Sequence, residues 1–156
     1  MKIDLGSFVV NGVKEVFDKM LSMSIENVAV SPNESIDGSK VVGSVSFAGA
    51  ILGSVNIHIP ANLTKVLAAN MLGLSPEEIE SEEEINDVVG EMSNMIGGYL
   101  KSRFCDAGFP CELSIPSVTK GSDFKVESLK WDRHERFGFK QDGDKIIVEV
   151  FVKGSA

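Results

Sequence analysis

The sequence predicts an α+β fold in which an antiparallel β-sheet carries two long helices packed on one face. Apolar residues recur at spacings of three and four over residues 5–23 and again over residues 82–104, which is the spacing of amphipathic helices. Between and after these segments, apolar residues alternate with small or polar ones over residues 40–59 and 144–153. Such alternation is typical of half-buried antiparallel strands.

The size and charge of the chain limit the classes of function. With 156 residues, we expect a single domain, 1–156, that is large enough to bury a core. The net charge of −8 argues against nucleic acid or an anionic membrane as partner. No stretch reaches the ~20 apolar residues of a membrane span, and the first residues lack the layout of a signal peptide. We therefore expect a cytoplasmic protein.

The first half of the chain alternates between helix and strand. A helix over residues 5–23 is followed by a short strand at residues 28–31. Residues 40–59 form a hairpin whose second strand ends at Pro60, because proline cannot continue the hydrogen-bonding ladder. The spacing of apolar residues then predicts a second helix over residues 62–74.

Two helix starts follow in an acidic linker. Ser75 is placed as an N-cap before Pro76, and Ser81 with Glu84 repeats the capping-box spacing at the start of the long helix. The glutamates between them lie where the positive end of a helix dipole favours acids. We therefore interpret this glutamate run as helix-start chemistry rather than as a metal site.

The last third of the chain returns to strands. Residues 114–118 read as a strand, with Pro116 indicating an edge or a bulge. No element is predicted for the polar segment 121–132. Residues 136–140 and 144–153 form a terminal hairpin.

Most residues that could bear chemistry lack suitable neighbours in the sequence. Neither His58 nor His134 has a second histidine or cysteine at metal-ligand spacing, so no metal site is predicted. Trp131 and Phe124 either anchor the polar segment onto the core or contact a partner, and anchoring is the favoured interpretation.

Four residues of the long helix share a face, which we call the outward ridge: Asp87, Glu91, Asn94 and Gly98. Taking Asp87 as zero and ~100° per residue, Glu91 falls at about 40° and Asn94 at about −20°. The apolar stripe lies near ~150° and so faces a core; it comprises Ile85, Val88, Val89, Met92, Ile96, Tyr99 and Leu100. A carboxylate and an amide on an outward ridge suit insertion into a partner's cleft, although an ordinary solvated face is the alternative.

The same helix contains an unusual number of small residues. Gly97 and Gly98 each cost ~1 kcal/mol relative to alanine in a helix interior, so their presence needs a reason. Close approach of another backbone is the expected one. Gly90, Ser93 and Gly97 form a further small-residue strip, which predicts a closely packed neighbour.

The segment Asp87–Gly98, with the sequence Asp-Val-Val-Gly-Glu-Met-Ser-Asn-Met-Ile-Gly-Gly, resembles the signature helix of the CheC/CheX family. Members of this family dephosphorylate the chemotaxis response regulator CheY. The resemblance is closest to the CheX-like branch, which has the same order of elements over roughly residues 2–152. The matching pieces are the hairpin at 40–59, Met-Leu-Gly at 71–73, the acidic linker at 76–84 and Ile-Pro within 114–118.

The resemblance implies a phosphatase that acts on the aspartyl phosphate of a CheY-like receiver domain. Asn94 would orient the attacking water, and Glu91 would pair with a lysine of the receiver. Asp87 and Gly98 are the candidate partner-binding residues beside that contact. The chain itself would bind no cofactor or metal, whereas Mg²⁺ would belong to the receiver. The sheet of CheX-like proteins continues between subunits, so a homodimer is also expected.

A non-catalytic interaction module is the alternative. The middle domain of the flagellar switch protein FliM is related to the same superfamily and binds partners without hydrolysing phosphate. The presence of both Glu91 and Asn94 favours the enzyme, because a scaffold has no need of that pair. The first helix offers Asn11 and Glu15 only in the reverse order, so the two-site arrangement of CheC is not supported.

Overall fold

The structure is a computed structural model that describes residues 3–122, 124–126 and 131–153, so part of the 121–132 segment lies outside the described residues. Its elements are α1 (Leu5–Leu21), β1 (Glu26–Val28), β2 (Ser39–Gly49), β3 (Leu52–Pro60), α2 (Ala61–Leu72), α3 (Glu82–Asp106), β4 (Cys111–Leu113), β5 (Ser117–Ser122), β6 (Arg133–Gln141) and β7 (Asp144–Lys153). The α+β class is confirmed. None of the described helices combines the length and apolarity needed to cross a membrane.

All seven strands belong to one antiparallel sheet in the order β1-β6-β7-β3-β2, with β4 and β5 both paired to the outer edge of β2. The prediction of a strand at 114–118 was wrong in its bounds. Residues 114–116 instead interrupt the edge, because Pro116 has no N–H to give to the ladder. The edge of β2 is therefore covered by one strand broken in its middle.

The first short strand also lies earlier than predicted, at Glu26–Val28 rather than 28–31. Residues 29–34 leave the sheet because basic side chains take their carbonyl groups. Lys145 Nζ donates to Ala29 O at 2.7 Å, and Arg136 Nη1 donates to Ser31 O at 2.9 Å. Glu34 N also donates to Ser31 O, which closes a turn here.

The helices pack on one face of the sheet, where α3 contacts β2, α1 and α2. The core between the layers is apolar and closely filled, as expected when a helix stripe and the inner positions of a sheet meet. Its largest fully buried side chains include Phe17, Phe104, Phe139, Ile57, Ile59, Leu67, Met92, Ile96 and Leu100. The predicted apolar stripe of the long helix is thus turned toward the sheet.

The small-residue strip of α3 rests directly on β2. A Cβ placed at Gly43 of β2 would lie 2.0 Å from Ser93 Oγ, and one placed at Gly97 would lie 2.5 Å from Val45 Cγ2. The predicted closely packed neighbour is therefore confirmed, but side chains rather than a backbone lie nearest to Gly97. By contrast, a Cβ at Gly98 would meet nothing within 4 Å among the residues described.

The opposite face of the sheet carries a buried polar network. Lys40 Nζ lies 3.2 Å from His58 Nδ1, and because an ammonium can only donate, this ring nitrogen accepts. His58 Nε2 then carries the proton that it donates to Glu149 Oε1 at 2.7 Å. The other carboxylate oxygen of Glu149 lies 3.0 Å from His134 Nε2 and 3.3 Å from Arg136 Nε.

This network has electrostatic consequences for its two buried charges. Burial opposes ionisation of Glu149 and by itself would raise its pKa. The hydrogen bonds from His58 and His134, together with the positive charge of Arg136, outweigh this effect, so the pKa of Glu149 is lowered. Burial also lowers the pKa of Lys40.

Two aromatic side chains cover this face of the sheet. The Lys40 ammonium lies 4.6 Å from the centroid of the Phe124 ring, and Trp131 packs 5.8 Å from Phe151. Trp131 and Phe124 therefore pack against the fold, but on the face of the sheet opposite the apolar core, so the predicted anchoring onto the core was wrong in its location.

The two adjacent glycines of α3 should respond oppositely to alanine. Gly97→Ala forces Val45 away from the helix, so we expect a loss of about 1–3 kcal/mol in the free energy of unfolding. Gly98→Ala places its methyl group in open space and removes a flexible residue, so we expect a gain of about 0.5–1 kcal/mol. Urea unfolding of both variants checks this, and equal effects would contradict the described packing.

The network around Glu149 should make stability depend on acid pH. The folded-state pKa of Glu149 lies below its ordinary value of 4.5, so its stabilising effect is fully present above pH 4.5 and is lost as pH falls through the folded pKa. We expect Glu149→Gln to lower the free energy of unfolding by about 2 kcal/mol at pH 6, because it replaces a charged hydrogen-bond acceptor. That difference should shrink below pH 4.5; a constant difference in urea titrations would contradict the prediction.

Candidate functional site

Helix capping determines where α3 begins. Ser81 is its N-cap, and Ser81 Oγ accepts from Glu84 N at 3.3 Å. The predicted capping box is only half formed here, since the carboxylate of Glu84 accepts from Glu80 N. The earlier box closes fully, with Ser75 N donating to Glu78 Oε1, but it begins only the single 3₁₀ turn Pro76–Glu78.

The start of α3 and its close packing on β2 together turn the outward ridge to the surface. Asp87, Glu91 and Asn94 are all exposed, while Gly98 is half-buried. The predicted orientation of the ridge is confirmed.

Three residues of the ridge line one groove. Asp87, Glu91 and Asn94 form one side of a depression of about 600 Å³, and the opposite side is built by the interrupted edge strand, residues 113–118. We call this depression the ridge groove. Its floor includes Gly90, where a Cβ would lie 3.8 Å from Pro116 Cγ. The floor of the groove therefore carries no side chain at this position.

Gly98 does not line the ridge groove. It lies one turn further along α3, in a smaller depression of about 320 Å³ between α1 and α3 that Lys19, Met95 and Tyr99 also line. The structure thus brings Asp87, Glu91 and Asn94 together at one groove, whereas Gly98 continues the ridge but lies outside that groove.

The polar groups on the helix side of the ridge groove have no partners within the described part of the chain. Neither the carboxylate of Glu91 nor the amide of Asn94 forms a hydrogen bond or ion pair there, whereas the nearby carboxylate of Glu82 binds Lys120. That contact lowers the pKa of Glu82 through the hydrogen bond and the charge of Lys120. Among the described groove-lining residues, the acids are not matched by any base. The groove is therefore acidic and presents a carboxylate and an amide ready for an external group.

Other sites considered from the sequence do not form in the described residues. No three histidine, cysteine, aspartate or glutamate side chains in ranges 3–122, 124–126 and 131–153 are grouped so that they could hold a metal ion. His58 is engaged with Lys40 and Glu149 on the far face of the sheet, away from α3. Cys105 is exposed and Cys111 is buried, and both are free thiols.

Sequence reasoning missed the second side of the ridge groove. Residues 114–118 were expected to form a strand with an edge or a bulge at Pro116, yet residues 114–116 form no strand and Ile115 is 88% exposed at the rim of the groove. The available signal was the sequence Ser-Ile-Pro-Ser at residues 114–117, in which a large apolar residue is followed directly by a proline and the two are flanked by serines. Those neighbours favour an irregular segment over a continuous strand.

Solved structures of other proteins share this fold. The chemotaxis protein CheX from Vibrio vulnificus is 22% identical, with 97% of this chain and 100% of that chain covered and a TM-score of 0.84. The CheX protein from Desulfovibrio desulfuricans is 21% identical, with 97% and 100% covered and a TM-score of 0.80. The CheX-CheY-BeF₃-Mg²⁺ complex from Borrelia burgdorferi matches with 22% identity, 98% and 100% coverage and a TM-score of 0.73.

Comparison with protein families gives a more specific result than the fold. No curated protein sequence matches the chain significantly. The family model described as chemotaxis phosphatase CheX, however, matches residues 41–139. This range contains most of β2, all of α3 and both sides of the ridge groove. By this match, the chain belongs to the CheX family of chemotaxis phosphatases.

Proposed function

We propose that this protein is a phosphatase that hydrolyses the aspartyl phosphate of a CheY-like receiver domain in the cytoplasm. The observation that carries the proposal is the pair Glu91 and Asn94, exposed without protein partners on one side of an open groove. Membership of the CheX family and the likeness to a CheX protein solved in complex with CheY support it.

Asn94 supplies the group that a receiver domain lacks. A phosphorylated receiver brings its aspartyl phosphate, Mg²⁺ and a lysine, which provide most of the electrostatic stabilisation for phosphoryl transfer. It still needs a water molecule held in line with the departing aspartate. The Asn94 side-chain oxygen accepts a hydrogen bond from that water without adding negative charge beside the phosphoryl group. The water oxygen attacks phosphorus, the bond from phosphorus to the aspartate oxygen breaks, and inorganic phosphate leaves.

Glu91 fixes the register in which the two proteins meet. It lies three residues before Asn94, so one helical turn carries both groups toward the same partner surface. A carboxylate in an acidic groove attracts the receiver's lysine and pairs with it. Asp87 adds negative charge one turn earlier, and the open space at Gly98 lets the partner backbone approach α3. The chain contributes no metal of its own in this mechanism.

The protein acts as a homodimer in this proposal. The edge strand β5, Ser117–Ser122, is paired with β2 on one side only in the described part of the chain, and unpaired edges favour association with another strand. We expect sedimentation at micromolar concentration to show a species of twice the monomer mass. A single species of monomer mass over the whole concentration range would contradict this.

Substitutions at the two proposed catalytic residues should have different effects. Asn94→Ala should lower kcat about 100-fold with little change in receiver binding, because only the position of the water is lost. Glu91→Ala should weaken binding as well, since truncating one partner of a buried charge pair typically costs about 2–5 kcal/mol. Loss of phosphate from a panel of phosphorylated receiver domains, followed with binding measurements, checks both.

Glu83→Ala is the matched control, because Glu83 is an exposed acid of the same helix that does not line the groove. The free energy of unfolding of all three alanine variants should lie within about 0.5 kcal/mol of the wild-type value. Full activity of Asn94→Ala would refute the water-orienting mechanism. A wild type that binds a receiver but accelerates no dephosphorylation would support the interaction module instead.

A further inference from the structure

Ile115 is the most exposed large apolar side chain among the described residues. It is 88% exposed, whereas the next in order, Leu72, is 47% exposed. A single exposed isoleucine is ordinary on a protein surface and indicates nothing alone. Two further properties, rigidity and position, distinguish Ile115.

The backbone on both sides of Ile115 is fixed. Ser114 N donates to Ser46 O and Ser46 N donates to Ser114 Oγ, each at 2.9 Å, so Ser114 is joined to β2 by two hydrogen bonds. On the other side, the Pro116 ring lies over the side-chain-free surface of Gly90 in α3. Proline fixes its own φ and restricts the preceding residue to extended conformations. Ile115 is therefore held outward by the fold rather than displayed on a free loop.

The position of Ile115 places it opposite the catalytic pair. It belongs to the side of the ridge groove formed by residues 113–118, and the facing side carries Glu91 and Asn94. One side of the groove is thus apolar, through Leu113, Ile115, Pro116 and Val118, and the other is acidic and polar. A partner that fits this groove needs an apolar patch directly beside a basic group.

We propose that residues 113–118 form the apolar half of the docking surface for the phosphorylated receiver domain, with Ile115 as its central contact. This inference rests on the proposed function, because the receiver is the partner whose lysine pairs with Glu91. The surface is continuous with the catalytic ridge, so one partner covers both sides of the groove. Ile115 does not touch the reacting atoms; it sets the affinity with which they are brought to Asn94.

A rigid apolar contact of this kind should act on binding and not on chemistry. A side chain already held in position loses little conformational entropy on association, which is the basis of preorganised binding. Truncated central contacts of interfaces commonly reduce affinity by about tenfold or more. The chemical step depends on Asn94 and the water, which Ile115→Ala leaves in place.

The experiment measures affinity and turnover separately. Affinity is measured by calorimetry with a receiver domain loaded with beryllofluoride and Mg²⁺, a stable mimic of the phosphorylated state. Turnover is measured as phosphate release from the phosphorylated receiver. We expect Ile115→Ala to raise both Kd and KM about tenfold with kcat within twofold of the wild type. Leu72→Ala, a similar truncation of the next most exposed apolar residue, is the matched control and should change neither.

The outcomes separate this inference from the proposed function. If Ile115→Ala binds the loaded receiver as tightly as the wild type, the docking surface is wrong even where the phosphatase activity is intact. If kcat falls while Kd is unchanged, Ile115 acts on the chemistry and the inference is also overturned. Conversion of a dimer into a monomer by Ile115→Ala would show that a second copy of this chain covers residues 113–118, which likewise overturns it.

Two results concern the proposed function. A wild type that binds the loaded receiver without accelerating hydrolysis refutes the phosphatase while the comparison of Kd values still tests Ile115. A wild type that binds none of the receiver domains refutes both. An unchanged thermal unfolding midpoint for Ile115→Ala shows that the variant is folded, and Ile115→Val should restore binding to near the wild-type level.

Discussion

The backbone of α3 lies close to β2 because small residues line both sides of their contact, and the geometry of the functional surface depends on this approach. Ser93 occupies the space that a side chain at Gly43 would need, and Gly97 leaves room for Val45. Ser93 is fully buried, and its hydroxyl donates to Val89 O at 2.8 Å, so no unsatisfied polar group is buried with it. With one face of the helix fixed in this way, the opposite face has only one orientation available.

The ridge groove results from combining this regular element with an irregular one. The helix supplies polar groups in a fixed order, and rigid elements hold such groups more accurately than loops do. The break in the edge strand at residues 114–116 supplies the other side together with Leu113 of β4 and Val118 of β5, which flank the break and also line the groove. Ser114 and Pro116 thus end one strand and begin another while they also shape the surface.

The regular parts of this structure were predictable from short-range patterns, and the irregular parts were not. The periodicity of the long helix was sufficient to orient Asp87, Glu91 and Asn94, because each angle depends only on counting residues along one helix. The side of the groove at 113–118 depends on pairing with β2, about 70 residues earlier in the chain. The network of Lys40, His58 and Glu149 was likewise hidden, since its partners are 18 and 91 positions apart in sequence.

The two faces of the sheet also explain why we expect the proposed function to be separable from stability in this fold. On the far face, the buried carboxylate of Glu149 is held by His58, His134 and Arg136, so changing any of these partners weakens the compensation of a buried charge. On the helix face, Glu91 and Asn94 have no partners to lose within the described residues, and their contribution to the folded state is correspondingly small. The small residues that fix the helix lie on its opposite side. If substitution of a ridge residue lowers the activity, the loss therefore reports on the chemistry of the groove. If substitution of Gly43 or Ser93 lowers the activity, the loss reports first on a changed position of the helix.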